Sequence, residues 1–383
     1  MSDMNFAVIG CGVISGRYLQ NAPMFRGVKI VACADLRPEA ARKQAKAHGI
    51  KAMSVSAALK SDAIDGIINL TVPNAHFAVS RRALCAGKHV FSEKPLSVLP
   101  REGRALVELA DKHKLGLGVA PDTFLGPGQR YARSLIEGGK TGRIVAASAF
   151  LMSRGMEHWH PDPTFFFKPG GGPVLDMGPY YLTALINLIG PVRDVMALDG
   201  MGLAERIITA EGPKKGEAIT VETPTTSLAT LRFANGALAT LALSWDVFQH
   251  GHRPLELYGT EGSLRVPDPN FFGGDVEFAA AREPWSVTAT AGQVTGKPNH
   301  PDINPQFANY RMLGVAELAD AVRHKRQPRA SGALGLHVLD VMDAILRSGR
   351  TRKLVSITGG AQPAAFSEAE VAALLVDPQA TRG

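Results

Sequence analysis

Phe6-Ala7-Val8-Ile9-Gly10-Cys11-Gly12-Val13-Ile14-Ser15-Gly16 is the stretch that decides the fold. Four apolar residues read as a buried strand, a glycine turn follows at once, and helical periodicity begins at Val13. In such a turn Gly10 permits a tight exit from the strand, and Gly12 lets backbone approach a pyrophosphate. The N–H groups of Val13 and Ile14 at the helix start then face the phosphates. Ser15 takes the place of a third glycine, and a residue that small still lets helix pack on strand. About 20 residues on stands Asp35, at the end of the next apolar run, where an acid accepts hydrogen bonds from a ribose diol. The plainer role for Asp35 is to cap the helix that begins at Pro38. Its charge repels a ribose phosphate and so favours NAD over NADP, whereas Arg37 beside it would suit NADP.

From this turn to residue 120, short apolar runs alternate with helical patterns, the mark of βαβ units around a parallel sheet. Strands are expected at 6–9, 29–34, 66–70, 89–91 and 115–119, with helices at 13–21, 38–48, 75–86 and 101–113. The cluster Pro121, Gly126, Pro127, Gly128 then breaks the pattern before a helix at 129–137. Residues 1–122 are therefore expected to form a doubly wound, dinucleotide-binding parallel-sheet domain and residues 123–383 a second α/β domain. Strand-like runs at 144–152, 226–233, 237–245, 255–259 and 262–266 predict a large, mainly antiparallel open sheet. Asn235-Gly236 marks a hairpin between two of them. The segment 267–309, rich in Pro, Gly and Asn, reads as loops, and helices at 310–326 and 333–348 close the fold. Helices cover one face of such a sheet. Self-association is the simplest cover for the other, so a homodimer or homotetramer is expected.

The formal net charge of +7 suits anionic partners, dinucleotide phosphates among them. Lys and Arg are scattered without interleaved aromatics, which argues against nucleic acid. Arg323-His324-Lys325-Arg326 reads as the basic last turn of an amphipathic helix. No apolar stretch reaches the roughly 18 residues of a membrane span. Three cysteines without metal-like spacing, and a first strand starting too early for a leader peptide, point to the cytoplasm.

Ligands of an open parallel sheet bind outside the carboxyl ends of its strands. That places Thr71, Pro73, Asn74 and His76 by the cofactor, and likewise Ser92-Glu93-Lys94-Pro95 after the next strand. Asn74 also suits an N-cap, and His76 a plain first-turn histidine. Oxidation of an alcohol by a nicotinamide needs a group that takes the hydroxyl proton. Lys94 suits this if burial and the cationic ring lower its pKa; a surface pair with Glu93 is the bland alternative. In Gly170-Gly171-Gly172-Pro173-Val174-Leu175-Asp176-Met177-Gly178-Pro179-Tyr180, a helix from Pro173 sets Asp176 and Tyr180 at i and i+4 on one face. A carboxylate beside a phenol can orient a substrate hydroxyl and share its proton with a lysine. Alternatively, Asp176 caps a later helix.

Together, the turn at Gly10 to Gly16, Glu93-Lys94-Pro95 and the glycine-rich run into Asp176 and Tyr180 resemble the glucose-fructose oxidoreductase and inositol dehydrogenase (Gfo/Idh/MocA) family over nearly the full chain. The resemblance implies a Rossmann domain plus an open-sheet domain used for oligomerisation, a cis peptide before Pro95, and a catalytic constellation of Lys94, Asp176 and Tyr180. Many members carry histidine where Tyr180 stands, and tyrosine is similar to the glucose-fructose oxidoreductase branch. Because phenols are weak bases at neutral pH, Lys94 is expected as the main base, Tyr180 as donor or relay and Asp176 as orienter.

A substrate would lie between the nicotinamide and the second sheet. Its candidate lining is Asp122, Thr123, Arg154, His158, Trp159, His160, Lys168 and Trp245. Aromatics beside hydrogen-bonding groups suit a sugar, glycoside or polyol. His158 and His160 near Asp162 resemble a metal set, but the chemistry needs none. Three functions are carried forward: an NAD(P)-dependent dehydrogenase acting on such a hydroxyl, an enzyme that retains NAD for redox-neutral sugar chemistry, and a dinucleotide sensor without catalysis. Lys94, Asp176 and Tyr180 speak against the sensor, which has no need of a proton relay.

Overall fold

The computed structural model describes residues 3–300, 307–360 and 362–383. The first half is a six-stranded, wholly parallel sheet of β1 (Met4–Ile9), β2 (Val28–Ala34), β3 (Lys51–Met53), β4 (Gly66–Asn69), β5 (His89–Ser92) and β6 (Leu117–Val119), in the order β3-β2-β1-β4-β5-β6. Helices α1 (Ser15–Asn21), α2 (Pro38–His48), α3 (Val55–Lys60), α4 (Pro73–Cys85) and α5 (Pro100–His113) connect the strands. β1 and β4 are fully buried toward their C-terminal ends because helices cover both faces. The strand order reverses between β1 and β4, which opens the crevice where such sheets bind ligands.

After α6 (Pro127–Glu137) come β7 (Ile144–Met152), the short α7 (Pro173–Asp176) and α8 (Gly178–Ile189). Then follow β8 (Val192–Gly200), β9 (Glu205–Ile207), β10 (Ala218–Thr220), β11 (Thr226–Phe233), β12 (Leu238–Ser244), β13 (Leu255–Gly259), β14 (Gly262–Val266), β15 (Val276–Ala280) and β16 (Ser286–Thr288). The chain ends in α9 (Leu313–Arg323), α10 (Gly332–Thr351), β17 (Val355–Ser356) and α11 (Glu368–Ala373). Among the described residues nine strands form one sheet, β16-β15-β14-β13-β7-β12-β11-β8-β17, in which only the β12–β7 pairing is parallel. β9 and β10 form a separate ladder over a satellite core of Met156, Phe167, Ile208, Ile219 and Trp245. No described helix is long and apolar enough to cross a membrane.

Period-2 burial in β11 sends Ala229, Leu231 and Phe233 into the core. Leu228, paired with Leu198 of β8, stays on the outer face with Met196, Leu238 and Tyr258, all exposed. One continuous core runs from the parallel sheet through α8, α9 and α10 to the inner face of the second sheet, which locks the crevice between them. The expectation of loops over 267–309 is corrected in part: Val276 and Phe278 alternate inward and add β15 and β16 at the sheet edge. Residues 301–306 of that segment lie outside the described residues. β3, β8, β9 and β10 were also unexpected. All but β8 are three-residue strands too short to show periodicity, and Arg193 and Asp194 interrupt the apolar pattern of β8.

Candidate active site

The end of β1 has no room for a side chain at Gly10. Its φ is 101°, and an added Cβ would stand 2.5 Å from the Leu70 carbonyl oxygen. At Gly12 the same atom meets nothing within 4 Å, so that position faces open crevice. Among the described residues, the N–H groups of Gly12, Val13 and Ile14 have no acceptor. Asp35 accepts from the N–H groups of Cys11 (2.8 Å) and Arg37 (2.8 Å), so one carboxylate pins the glycine turn to the end of β2. Arg37 reaches outward, its Nε 3.8 Å from Asp35. Three large apolar side chains, Val13, Leu36 and Val72, are left exposed at the ends of β1, β2 and β4. Free N–H groups, a fixed carboxylate and exposed apolar walls fit the pyrophosphate, ribose and base of a dinucleotide.

Around β4, Thr71 donates to Asn69 Oδ1 (2.7 Å), Pro73 opens α4, and Asn74 is exposed in its first turn without acting as the cap. His76 is corrected. It is 1% exposed, with Nδ1 2.7 Å from the Pro95 carbonyl oxygen and Nε2 2.9 Å from that of Thr71. Helix α4 turns it inward, so it braces the lysine loop to the β4 exit instead of facing the crevice.

That loop presents the candidate base. The Lys94–Pro95 peptide is cis, as the resemblance implied, and Pro95 is buried. Glu93 accepts from the Tyr18 hydroxyl (2.9 Å) and from the Lys94 N–H (3.0 Å). Lys94 Nζ donates to Asp176 Oδ1 (2.7 Å) and to its carbonyl oxygen (2.6 Å), and lies 5.1 Å from the centre of the Tyr180 ring. The helix expected from Pro173 pauses at Met177 and restarts as α8, yet both side chains still converge on the lysine. Gly172, at φ 90°, bends the chain there, its N–H donating to Phe166 O (2.8 Å). The expected lowering of the Lys94 pKa is reversed in this state. Burial does push the ammonium down, but the Asp176 carboxylate, with Tyr180 and Glu93 behind it, holds it above its ordinary value.

One member of the cluster escaped the sequence reading. Arg311, just ahead of α9, donates from Nη2 to the Tyr180 hydroxyl at 3.4 Å. It stands between the buried Tyr310 and Met312 with no motif around it, and only the tertiary fold brings it to Tyr180. Asp122 faces this guanidinium from inside the protein and is corrected as a lining residue. It is 1% exposed, accepts from the Gly314 N–H (3.0 Å), and burial pushes its carboxyl up to about 6. Thr123 is buried beside it, because the chain after β6 folds beneath the sheet end.

On the second-domain side, Arg154 and Trp159 are exposed, and His158 is half-buried, its pKa lowered by burial. His160 packs edge-on against Trp159, Phe165 and Phe166. Lys168 pairs with Glu222 at 2.5 Å, and its carbonyl accepts from the Gly171 N–H (2.8 Å), which joins this aromatic segment to the turn that presents Asp176. Asp162 pairs with Lys214 (2.8 Å), its N–H donating to His160 Nδ1. Trp245 is corrected: it is wholly buried against Phe166 and Phe167, because the residue after β12 points into the satellite core.

Residues 4–120 match the family described as "Oxidoreductase family, NAD-binding Rossmann fold", and residues 129–265 match the GFO/IDH/MocA C-terminal domain. Inositol 2-dehydrogenase of Rhizobium meliloti is 22% identical over 92% of this chain and 99% of its own. Levoglucosan dehydrogenase of Pseudarthrobacter phenanthrenivorans is 25% identical over 69% of this chain and 73% of its own. The solved structure of a levoglucosan dehydrogenase in complex with NADH and levoglucosan superposes with a TM-score of 0.77 at 21% identity, covering 94% of this chain and 100% of that one. With both of its domains matched and the crevice built for a dinucleotide, this chain belongs to the Gfo/Idh/MocA oxidoreductase family, and its first domain is the family's NAD-binding Rossmann fold.

Proposed function

We propose that this protein is an NAD-dependent dehydrogenase acting on a hydroxyl of a sugar, glycoside or polyol, with residues 1–122 holding the dinucleotide and 123–383 the substrate. The observation that carries this reading is the convergence of Lys94, Asp176 and Tyr180 at the carboxyl end of the parallel sheet. When bound, NAD supplies the acceptor or donor of the hydride. Everything else falls to the chain's own side chains. Two of the three Lys94 N–H donors are engaged by Asp176, which leaves one for the substrate oxygen. In the reductive direction that ammonium gives its proton to the carbonyl oxygen. In the oxidative direction the neutral amine takes the proton back, at a pH that Asp176 sets. Tyr180 donates a second hydrogen bond to the same oxygen.

The names of the relatives, inositol 2-dehydrogenase and levoglucosan dehydrogenase, support the substrate class. So does the aromatic segment with exposed Trp159 and nearby Lys168. The exposed apolar stripe of Met196, Leu198, Leu228 and Leu238 favours a homodimer or homotetramer through the open sheet face. Three unpaired cysteines suit a reducing, cytoplasmic setting.

The test is dinucleotide reduction over many turnovers with NAD or NADP and a panel of monosaccharides, polyols and glycosides. Sustained formation of reduced cofactor on one class supports the dehydrogenase. Reduction that stops at about one equivalent per site points instead to retained NAD and redox-neutral chemistry. Binding without any reduction overturns the enzymatic reading.

A further inference from the structure

Arg311 is mounted more firmly than a loop arginine requires. Asn21, buried at the end of α1, donates to the carbonyl oxygens of Asn309 (2.8 Å) and Arg311 (2.9 Å). Asn299 grips Asn309 from the other side, donating to its carbonyl (2.8 Å) and accepting from its N–H (2.8 Å). The guanidinium has the Asn309 side chain on Nη1 (3.2 Å) and the Tyr180 hydroxyl on Nη2 (3.4 Å). Among the described residues no carboxylate is paired with it at ion-pair distance, although Glu93 and Asp122 lie near enough to stabilise its charge.

A phenol has one proton to donate. Because the Tyr180 oxygen accepts from Arg311, that proton is turned away from the arginine, and Lys94 on the ring face is itself a donor. The crevice is the direction left. Any negative charge that grows on the phenol oxygen as it donates is met by a fixed cation at close range, in a site shielded from water.

We propose that Arg311 is a positioning residue for the reaction, aiming the Tyr180 hydroxyl at the substrate oxygen and stabilising charge on it. This rests on the reading of Tyr180 as a donor to that oxygen. The experiment is a double-mutant cycle with Arg311→Lys, Arg311→Ala and Tyr180→Phe. It reads kcat and KM on the substrate found above, dinucleotide affinity by fluorescence, and the Tyr180 ζ-carbon resonance in 13C-tyrosine-labelled protein.

Arg311→Ala should lower kcat by about tenfold to a hundredfold with little change in KM. Arg311→Lys should keep part of the activity, and added guanidinium should restore part of it to Arg311→Ala. In the Tyr180→Phe background the arginine substitutions should cost nothing further. Full additivity in that background, or an unchanged kcat, overturns the proposal. The resonance of Tyr180 should move in Arg311→Lys even if no substrate is ever turned over. A missing wild-type activity therefore sinks the dehydrogenase reading, whereas an unmoved resonance sinks the role of Arg311.

Discussion

Lys94 and Asp176 are 82 positions apart in the chain, yet the ammonium of one lies 2.7 Å from the carboxylate of the other. One comes from the exit of β5 in the parallel sheet, the other from the short helix leading into α8, so the pair closes the seam where the proposed substrate would sit. Burial pushes the Lys94 ammonium down, and Asp176, helped by Tyr180 and Glu93, brings it back above its ordinary value. Asp176→Asn removes the opposing charge and leaves burial without its main counterweight. The pH above which oxidation runs should then fall, by about 1–3 units as for other charge partners at contact distance. A pH profile of kcat/KM for both proteins reads this. An unmoved limb would mean that Lys94 is not the group being titrated. Lys94→Ala should lower turnover at least about a hundredfold while dinucleotide still binds, since the glycine turn and Asp35 remain in place to hold it.

The two glycines of the turn separate stability from binding. Gly10→Ala places a Cβ 2.5 Å from the Leu70 carbonyl at a positive φ, so it should destabilise the fold by about 2 kcal/mol or more. Gly12→Ala meets nothing in the protein, so its melting temperature should match the wild type. Its methyl group would instead enter the space of the pyrophosphate, and NAD affinity should fall at least about tenfold. Thermal melts and calorimetric titration of the two variants check both halves. Equal NAD affinity in Gly12→Ala would place the pyrophosphate elsewhere.

What the sequence disclosed, and what it hid, divides along the range of the interactions. The β1 strand, its glycine turn and Asp35 are a local pattern, and Asp35 does bond the turn. Lys94 and Asp176 were legible because each follows a recognisable boundary, a strand end and a glycine run. Arg311 was not, for it lies 131 residues from the phenol it touches and no periodicity marks it. Trp245 and Asp122 misled for the converse reason. An aromatic or acidic residue just past a strand can point either way, and burial in the satellite core or under α9 is decided by distant partners. β15 was obscured by the Pro and Gly around it, although its pairing with β14 is regular.

Asp35 should also govern the choice of dinucleotide. Its two oxygens each accept one backbone N–H bond, so Asn at the same place keeps an oxygen for one of them while losing the charge. Asp35→Asn should therefore weaken NAD through the lost ribose contact and relieve the repulsion of a ribose phosphate, with Arg37 at hand to receive it. The expected outcome is a shift of the NADP to NAD ratio in kcat/KM by about tenfold or more, roughly the 1–3 kcal/mol of a charged hydrogen bond. Steady-state kinetics with each cofactor measures it, and an unchanged ratio would remove Asp35 from the ribose site.

His337 ties the fold to pH away from the active site. It is 2% exposed in α10, and its Nε2 accepts from the Val192 N–H at 3.0 Å, a bond that only a neutral ring can make. Burial, with Arg193 nearby, lowers its pKa from 6.5 to about 4. The unfolded chain protonates this ring first as pH falls, so between roughly 6.5 and 4 it binds more protons than the native state and stability drops. Full loss of this contribution is worth ~3 kcal/mol, from 1.36 kcal/mol per unit. His337→Gln offers Val192 a neutral acceptor at every pH. Urea unfolding between pH 7 and 4.5 should show the wild type losing stability more steeply than the variant. Parallel curves would mean that the ring is already charged in the fold, or that Val192 has found another partner.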